Sequence, residues 1–368
     1  MAIAALLAFC TWVYLFLAHG RFWAGGPVLV PQVPAVAPEV DIVVPARDEA
    51  ETIAPVIASL LAQRYPGKFN LVLVDDNSTD GTASRAGSAP NLKVIRGSQK
   101  PAGWSGKLWA LSQGVAAGRA PLVLFTDADI VHDPRHLATL VARLLDAGAD
   151  LVSEMVRLRC SSLAERALVP AFVYFFQMLY PFARVNDPRS RTAAAAGGTV
   201  LIRRETLERV GGIEAIRGAL IDDVTLARAV KGRAGGRVYL GHSGLAASIR
   251  RYPHFSDIWR MISRTAFTQL NHSASLLLLT ILALTLVWLI PVCAMLVGPG
   301  DARAVGLAAF AIASVSYQPT LRRYGLRPWW ALALPLIALF YMAATVGSAV
   351  DHWRGAGARW KDRAYGSG

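Results

Sequence analysis

The stretch Leu122-Val123-Leu124-Phe125-Thr126-Asp127-Ala128-Asp129 limits the possible folds of this chain more than any other. Its apolar run is continuous rather than alternating, the character of a strand buried on both faces within a parallel sheet. Two carboxylates separated by one residue then stand at the strand's carboxyl end. In open α/β sheets that edge is where the loops open a crevice for ligands. Two such acids can share one hard divalent cation, or divide between the cation and a ribose hydroxyl. Mg2+ in sites of this kind takes one or two carboxylates from the protein and further oxygens from substrate phosphates. The stretch therefore points to a metal-bridged diphosphate. A chain of this length contains about one Asp-x-Asp by chance, and this is the only one in the sequence. Its position directly after a buried strand is what sets it apart.

Composition decides the setting of that strand. Of 368 residues, 54% are hydrophobic and only 17% charged, and the mean hydropathy is +0.38. This is too apolar for a soluble enzyme and indicates a membrane protein with a globular part. The net charge of +13 fits the anionic face of a bilayer better than nucleic acid. There is no basic stripe interleaved with aromatics, and Arg and Lys flank the apolar spans instead. Cys10, Cys160 and Cys293 lie far apart, so neither a zinc set nor a disulfide framework can be read from them.

Residues 1–23 read as an uncleaved membrane anchor, since the apolar run has no basic segment before it and no small-residue cleavage site after it. Residues 38–270 read as an α/β domain in which short apolar strands alternate with helices. Strands are expected at Ile42–Val44, Leu71–Val74, Leu92–Ile95 and Leu122–Thr126. Helices are expected at about Glu51–Gln63, with apolar positions three and four apart, from the Gly103-Trp104-Ser105-Gly106-Lys107 opening to about Ala117, and over Pro134–Ala147, with one apolar face. Three strands then end in polar clusters on one edge: Arg47 to Glu49, Asp75 to Asp80, and Asp127 with Asp129. Asn77, Ser78 and Gly81 read as turn residues. Asp76, adjacent to Asp75, calls for a hydrogen-bond donor such as a nucleobase N–H.

These residues carry a resemblance. Val43-Val44-Pro45-Ala46-Arg47-Asp48-Glu49, Val74-Asp75-Asp76-Asn77-Ser78-Thr79-Asp80, Gly106-Lys107 and Asp127-Ala128-Asp129 are similar to the nucleotide-sugar half of the family 2 glycosyltransferases. Gly197 to Glu205, Gly211-Gly212 and Ile221-Asp222-Asp223-Val224-Thr225-Leu226 are similar to their acceptor half. The whole layout most resembles the membrane-bound hopanoid-biosynthesis-associated glycosyltransferases, with carotenoid and ceramide glycosyltransferases similar to it. The resemblance implies an α/β, GT-A-type, mostly parallel sheet with helices on both faces and transmembrane helices at both ends of the chain. It implies that Pro45, Ala46, Arg47 and Glu49 line the nucleoside pocket, that Asp76 binds the base and that Lys107 lies near the diphosphate. Asp127 would touch the ribose or the metal, Asp129 would hold the metal (Mg2+ or Mn2+), and Asp223 would be the general base. Asp222 and Arg264 would face the acceptor or diphosphate. Processive members carry Gln-x-x-Arg-Trp, and Met261-Ile262-Ser263-Arg264-Thr265 keeps only the arginine, which favours addition of a single sugar. Asp223 could instead cap the following helix, with Asp222 as an alternative cap.

The aromatic stretch Ala167–Val185 reads either as a helix lying in the membrane interface or as a buried core helix. Within residues 273–350, Ala274–Val297 and Trp329–Val350 are long enough to span a bilayer, whereas Val305–Pro319 is short. Arg21 and the Arg322, Arg323 and Arg327 loop should face the cytoplasm, with the catalytic domain. Residues 351–368 form a basic tail. The expected partners are a nucleotide-diphosphate sugar, a lipid acceptor and the inner membrane, with no nucleic acid. A membrane scaffold that keeps the fold without turnover is the reading from another class.

Overall fold

The computed structural model describes residues 1–355 and the backbone of residues 359–360 and 363–364. The expected basic tail therefore lies mostly outside the described residues. Two compact units emerge among the described residues, one built from residues 1–26, 160–183 and 252–355, the other from residues 27–159 and 184–251.

The second unit holds an eight-stranded sheet. Its strands are β1 (Val40–Ala46), β2 (Phe69–Asp75), β3 (Leu92–Arg96), β4 (Leu122–Thr126), β5 (Ile130–His132), β6 (Leu151–Arg157), β7 (Thr199–Arg203) and β8 (Val238–Ser248), in the order β3-β2-β1-β4-β7-β6-β8-β5. β1 pairs in parallel with β2 and β4, β2 with β3, and β6 with β8. β7 runs antiparallel to both β4 and β6, and β5 is an antiparallel edge on β8. The sheet is thus mostly parallel, and the four strands expected from sequence form one half of it.

Both sheet faces are covered because β1, β2 and β4 place apolar side chains on each. On one face Ile42, Val44, Leu71, Leu73, Leu122 and Leu124 pack with the helices Ile53–Leu61 and His136–Asp146 through Ile53, Val56, Leu60, Leu137, Leu140, Val141 and Leu144. On the other, Val72 and Val74 pack with Ala110 of the helix Gly106–Ala116. That helix comes so near that a Cβ on Gly114 would sit 2.2 Å from Val43 Cγ1. At the opposite end of the strands, fully buried Asp41 accepts hydrogen bonds from Arg204 Nη2 (2.7 Å) and the Ala120 N–H (2.8 Å). This ion pair fixes the start of β1 and β4 and leaves their carboxyl ends for chemistry.

The first unit is helical. Among the described residues, three helices are long and apolar enough to cross a membrane: Ala274–Val297, Gly300–Arg323 and Pro328–Trp353. The middle one extends beyond the expected Val305–Pro319 at both ends: Arg303 Nε donates to Gly298 O (2.8 Å) at its start, and the Tyr324 N–H bonds Thr320 O (3.3 Å) and Leu321 O (3.1 Å) at its close. The amino-terminal helix, Ala2–Leu17, has 16 residues, about 24 Å at 1.5 Å per residue and short of a ~30 Å hydrocarbon core. Most of the aromatic stretch forms the helix Leu163–Leu179, opened by a capping box between Ser162 and Glu165, while Phe182–Val185 fall in the separate short helix Phe182–Asn186. The longer one is a core helix of this unit. Tyr174 is fully buried and its hydroxyl lies 2.6 Å from Ser316 Oγ, while Tyr341 donates to Leu168 O (2.9 Å).

Candidate active site

Because β1, β2 and β4 are parallel, their polar termini share one edge. Ser105 builds the next part of the site. In extended conformation, its Oγ accepts the Leu108 N–H, so the helix starts at Gly106 and Lys107 falls in the first turn. A cation there opposes the positive end of the helix dipole. Two carboxylates offset that cost: Lys107 Nζ lies 3.0 Å from Asp127 Oδ1 and 3.0 Å from Asp222 Oδ2.

Asp222 and Asp223 open the helix Asp222–Gly232, where the dipole favours negative charge. Neither acid caps it, for Ile221 holds the cap position. Asp223 Oδ1 accepts the N–H of the next residue, Val224, at 2.8 Å. Across from it, a Cβ on Gly197 would stand 3.2 Å from Asp223 Oδ2, so a glycine keeps this approach open. Ser153 of β6 anchors that segment, accepting the Ala196 N–H (2.8 Å) and donating toward the carbonyls of Ala196 and Thr199 (3.0 Å each). Pro45, Lys107, Asp127, Gly197, Asp222 and Asp223, with Leu108, Leu111, Phe125, Ile213 and Leu226, line one cleft.

The charges shift one another. Burial works against the Lys107 ammonium, but Asp127 and Asp222 override it and hold the group well above its ordinary range. Burial raises the Asp127 carboxyl, with Asp129 and Asp222 adding to the effect against Lys107. Asp223 is pushed up to about 7, first by burial and then by Asp222, while Lys107 and the Val224 N–H oppose. A carboxylate poised there is matched to accepting a hydroxyl proton near neutral pH.

The other expected residues gather in neighbouring clusters. Asp129 Oδ2 accepts from Ser248 Oγ (2.9 Å) and Arg250 Nε (3.0 Å), and Arg250 Nη2 reaches Glu49 Oε1 at 2.6 Å. Glu49 Oε2 also accepts from Thr52 Oγ1 at 2.9 Å. Arg47 Nη1 donates to Asp76 O (2.6 Å) and lies 3.9 Å from Asp76 Oδ2. Ala46 ends β1, its carbonyl accepting the Asp76 N–H at 2.8 Å. Asn77 adopts a left-handed backbone with φ of 56° and bonds Gly97 O, as a turn residue does. Arg264 belongs to the first unit, at the carboxyl-terminal cap of the helix Phe255–Ser263.

Residues 41–211 match the family described as Glycosyl transferase family 2. This stretch is a glycosyltransferase family 2 domain. Over 128 residues the chain is 28% identical to a dodecaprenyl-phosphate galacturonate synthase of Rhizobium johnstonii, covering 32% of this chain and 36% of that protein. It is 36% identical over 114 residues to an uncharacterized glycosyltransferase of Mycobacterium bovis, covering 31% and 47%. The chain thus matches less than half the length of these curated relatives. Its fold is similar to that of a mannosyltransferase of Pyrobaculum calidifontis solved with GDP-mannose and Mn2+, with a TM-score of 0.60 at 21% identity over 98% of this chain and 99% of that one.

Among the described residues of the family 2 domain, no group of three or more His, Cys, Asp or Glu is arranged to hold a metal. Asp127 and Asp129 supply two hard carboxylates, the number Mg2+ typically takes from protein when substrate phosphates complete its shell. The ion pairs to Lys107 and Arg250 use Asp127 Oδ1 and Asp129 Oδ2, so the second oxygen of each acid lies outside them. The donor set fits a hard cation brought in with a diphosphate. Sequence reasoning missed Arg250 and Ser248, which stand about 120 residues beyond the acid that they hold. Arg250-Arg251 had no signal beyond its charge.

Proposed function

We propose that this protein is a membrane-bound inverting glycosyltransferase that moves a single sugar from a nucleotide-diphosphate sugar to a lipid hydroxyl at the cytoplasmic face of the inner membrane. The observation that carries this reading is the convergence of Asp127, Lys107, Asp222 and Asp223 on one cleft at the carboxyl edge of a parallel sheet. Pro45, Ala46, Arg47, Glu49 and Asp76 bind the nucleoside. Lys107 balances the diphosphate, and Asp222 holds Lys107 in place. Asp223 takes the proton of the acceptor hydroxyl as its oxygen attacks the anomeric carbon from the face opposite the leaving diphosphate. Asp127 and Asp129 would hold Mg2+ or Mn2+, which when bound neutralises charge developing on the diphosphate. The three apolar helices support residence in a membrane. The name of the Rhizobium johnstonii relative supports a lipid-linked acceptor. A hopanoid is the first acceptor to test, on the resemblance of the layout.

Lipid extracts of a deletion strain and its parent, compared by mass spectrometry, test the proposal. A glycolipid one sugar heavier than its precursor should vanish with the gene and return with the parent sequence but not with Asp223→Asn. Restoration by Asp223→Asn overturns the mechanism. Loss of a glycosylated polyprenyl phosphate in place of a hydroxyl-linked product moves the acceptor to that class. Unchanged lipids, together with no donor hydrolysis by purified protein, favour the scaffold reading.

A further inference from the structure

Behind β4 lies a line of buried polar groups that the cleft does not use. Thr126 ends β4, His132 ends β5, His136 opens the helix His136–Asp146, and Glu154 sits within β6. Their residues are 1%, 5%, 1% and 0% exposed. Thr126 Oγ1 is 3.1 Å from His132 Nε2, His132 Nδ1 is 2.9 Å from His136 Nδ1, and His136 Nε2 is 3.2 Å from Glu154 Oε2. At its far end Thr126 Oγ1 lies 3.0 Å from Gly198 O.

The distances fix the direction of this chain. Two oxygens 3.0 Å apart need a hydrogen between them, and a carbonyl has none to give, so the Thr126 hydroxyl donates to Gly198 O. Thr126 has one hydrogen and must accept from His132, which places a proton on His132 Nε2. Burial, with His136 beside it, disfavours a charged His132. Its Nδ1 is then a bare acceptor, and His136 Nδ1 supplies the hydrogen. One further proton lies between His136 Nε2 and Glu154 Oε2, and on either atom the pair has no net charge. Every donor is matched to an acceptor, in the order Glu154, His136, His132, Thr126, Gly198. Gly198 O also receives Thr199 Oγ1 (2.8 Å) and the Asp127 N–H (3.4 Å). The chain thus terminates on the carbonyl that joins the Asp127 turn to Gly197, the glycine facing Asp223.

We propose that Glu154, His136 and His132 are positioning residues for the donor site, acting through Thr126 to fix the Asp127 main chain against Gly198. The chain spans four elements and brings the rigidity of β6 and a buried helix to the loop end of β4. Support of this kind behind a ligand-binding acid is worth about 10- to 100-fold in affinity or activity where it has been removed. The inference rests on the reading of Asp127 as a donor-binding residue.

The test is calorimetric titration of the full-length protein in detergent with Mn2+ and whichever of UDP and GDP the parent binds more tightly, with thermal melting of each variant as a check on folding. Thr126→Val, which keeps the shape and deletes the hydroxyl, should weaken nucleotide binding about tenfold. His132→Leu should do the same. The double variant should be no weaker than either single, because both cut one chain. Glu154→Leu should also weaken binding, and Glu154→Gln, whose amide can donate to His136 Nε2, should recover most of the loss. If His132→Leu does not fold, Thr126→Val with the two Glu154 variants decides. Thr126→Val within twofold of the parent, or losses that multiply in the double variant, overturns the proposal. Asp127→Asn is measured alongside. If it binds like the parent, the donor reading fails and takes this inference with it. If it binds weakly while Thr126→Val does not, only the positioning chain is refuted.

Discussion

Asp223→Asn should move activity and stability in opposite directions. Asparagine is the same size, keeps an Oδ1 to accept the Val224 N–H (2.8 Å), and leaves the approach of Gly197 unchanged. What it loses is basicity. Loss of a general base typically costs a factor of about 10²–10⁴, or about 2.7–5.5 kcal/mol in the barrier. Stability follows from the raised carboxyl. A group moved from 3.8 to about 7 on folding binds its proton more tightly in the folded state, so its contribution is fully present below the unfolded value and is lost as pH rises through 7. The shift sets a ceiling of about 4 kcal/mol. Because the side chain still reaches solvent and shares its field with Lys107, a gain of about 1 kcal/mol is expected for the neutral amide at pH 8. The variant should therefore melt above the parent at pH 8 and level with it at pH 4, while sugar transfer falls at least about a hundredfold. In the parent, kcat/KM should fall as pH drops below about 7. Asp222→Asn, which breaks a 3.0 Å pair with Lys107, should be milder on transfer. Transfer by Asp223→Asn within a few-fold of the parent refutes the base assignment. A lower melting temperature at pH 8 refutes the electrostatic argument.

Three further outcomes can be checked. Asp129→Asn keeps an oxygen for Ser248 and Arg250, so it should fold normally, but donor binding should no longer respond to Mn2+ or Mg2+; retained metal dependence in a titration removes Asp129 from the metal site. Lys107→Met leaves Asp127 and Asp222 facing each other without their shared cation. It should lower stability at pH 8 by about 2 kcal/mol, less than the ~3–5 kcal/mol of a fully buried pair, and a melt that does not recover on acidification contradicts this. A topology reporter inserted near Gly87, on the α/β unit, should read as cytoplasmic; a periplasmic signal would place the chemistry on the wrong side for nucleotide sugars.

The half of the sheet carrying β1 to β4 was legible because Ile42–Val44, Leu71–Val74 and Leu122–Phe125 are continuous apolar runs, each followed by a polar cluster, and β3 adds Leu92, Val94 and Ile95 around Lys93, a signal that survives without knowledge of the fold. β7 and β8 were not. β7 offers only Val200, Leu201 and Ile202 between the polar ends Thr199 and Arg203, and β8 contains Gly241, His242, Ser243 and Gly244, which break both alternation and apolar continuity. The same contrast holds at the site. Lys107 stood out beside Ser105 and Gly106, and Asp223 beside Asp222, because neighbouring residues announce a helix start. Arg250 and Glu154 are visible only once the sheet is closed, since the groups they meet are far away in sequence or on another element: Asp129 and Glu49 in the loops after β4 and β1 for Arg250, and His136 on a helix for Glu154. The sequence also left the aromatic stretch between two environments, and the hydroxyl of Tyr174 on Ser316 decided for the core.

The Asp-x-Asp pair suggests two acids sharing one cation, yet each acid has a resident cation of its own: Lys107 for Asp127 and Arg250 for Asp129. Lys107 is shared with Asp222 and Arg250 with Glu49, so two positive groups face four carboxylates before Asp223 is counted. The edge therefore holds excess negative charge, and the excess is felt where no cation makes direct contact. That position is Asp223, whose carboxyl is raised to about 7, first by burial and then by Asp222, with Asp127 adding a smaller share. On the proposed mechanism, the shortage of positive charge that would favour a cation in the cleft is also, in part, what raises the Asp223 carboxyl. A second lysine placed near Asp222 would relieve the repulsion, lower the Asp223 carboxyl and weaken the base, so a better-balanced cleft would be a slower one.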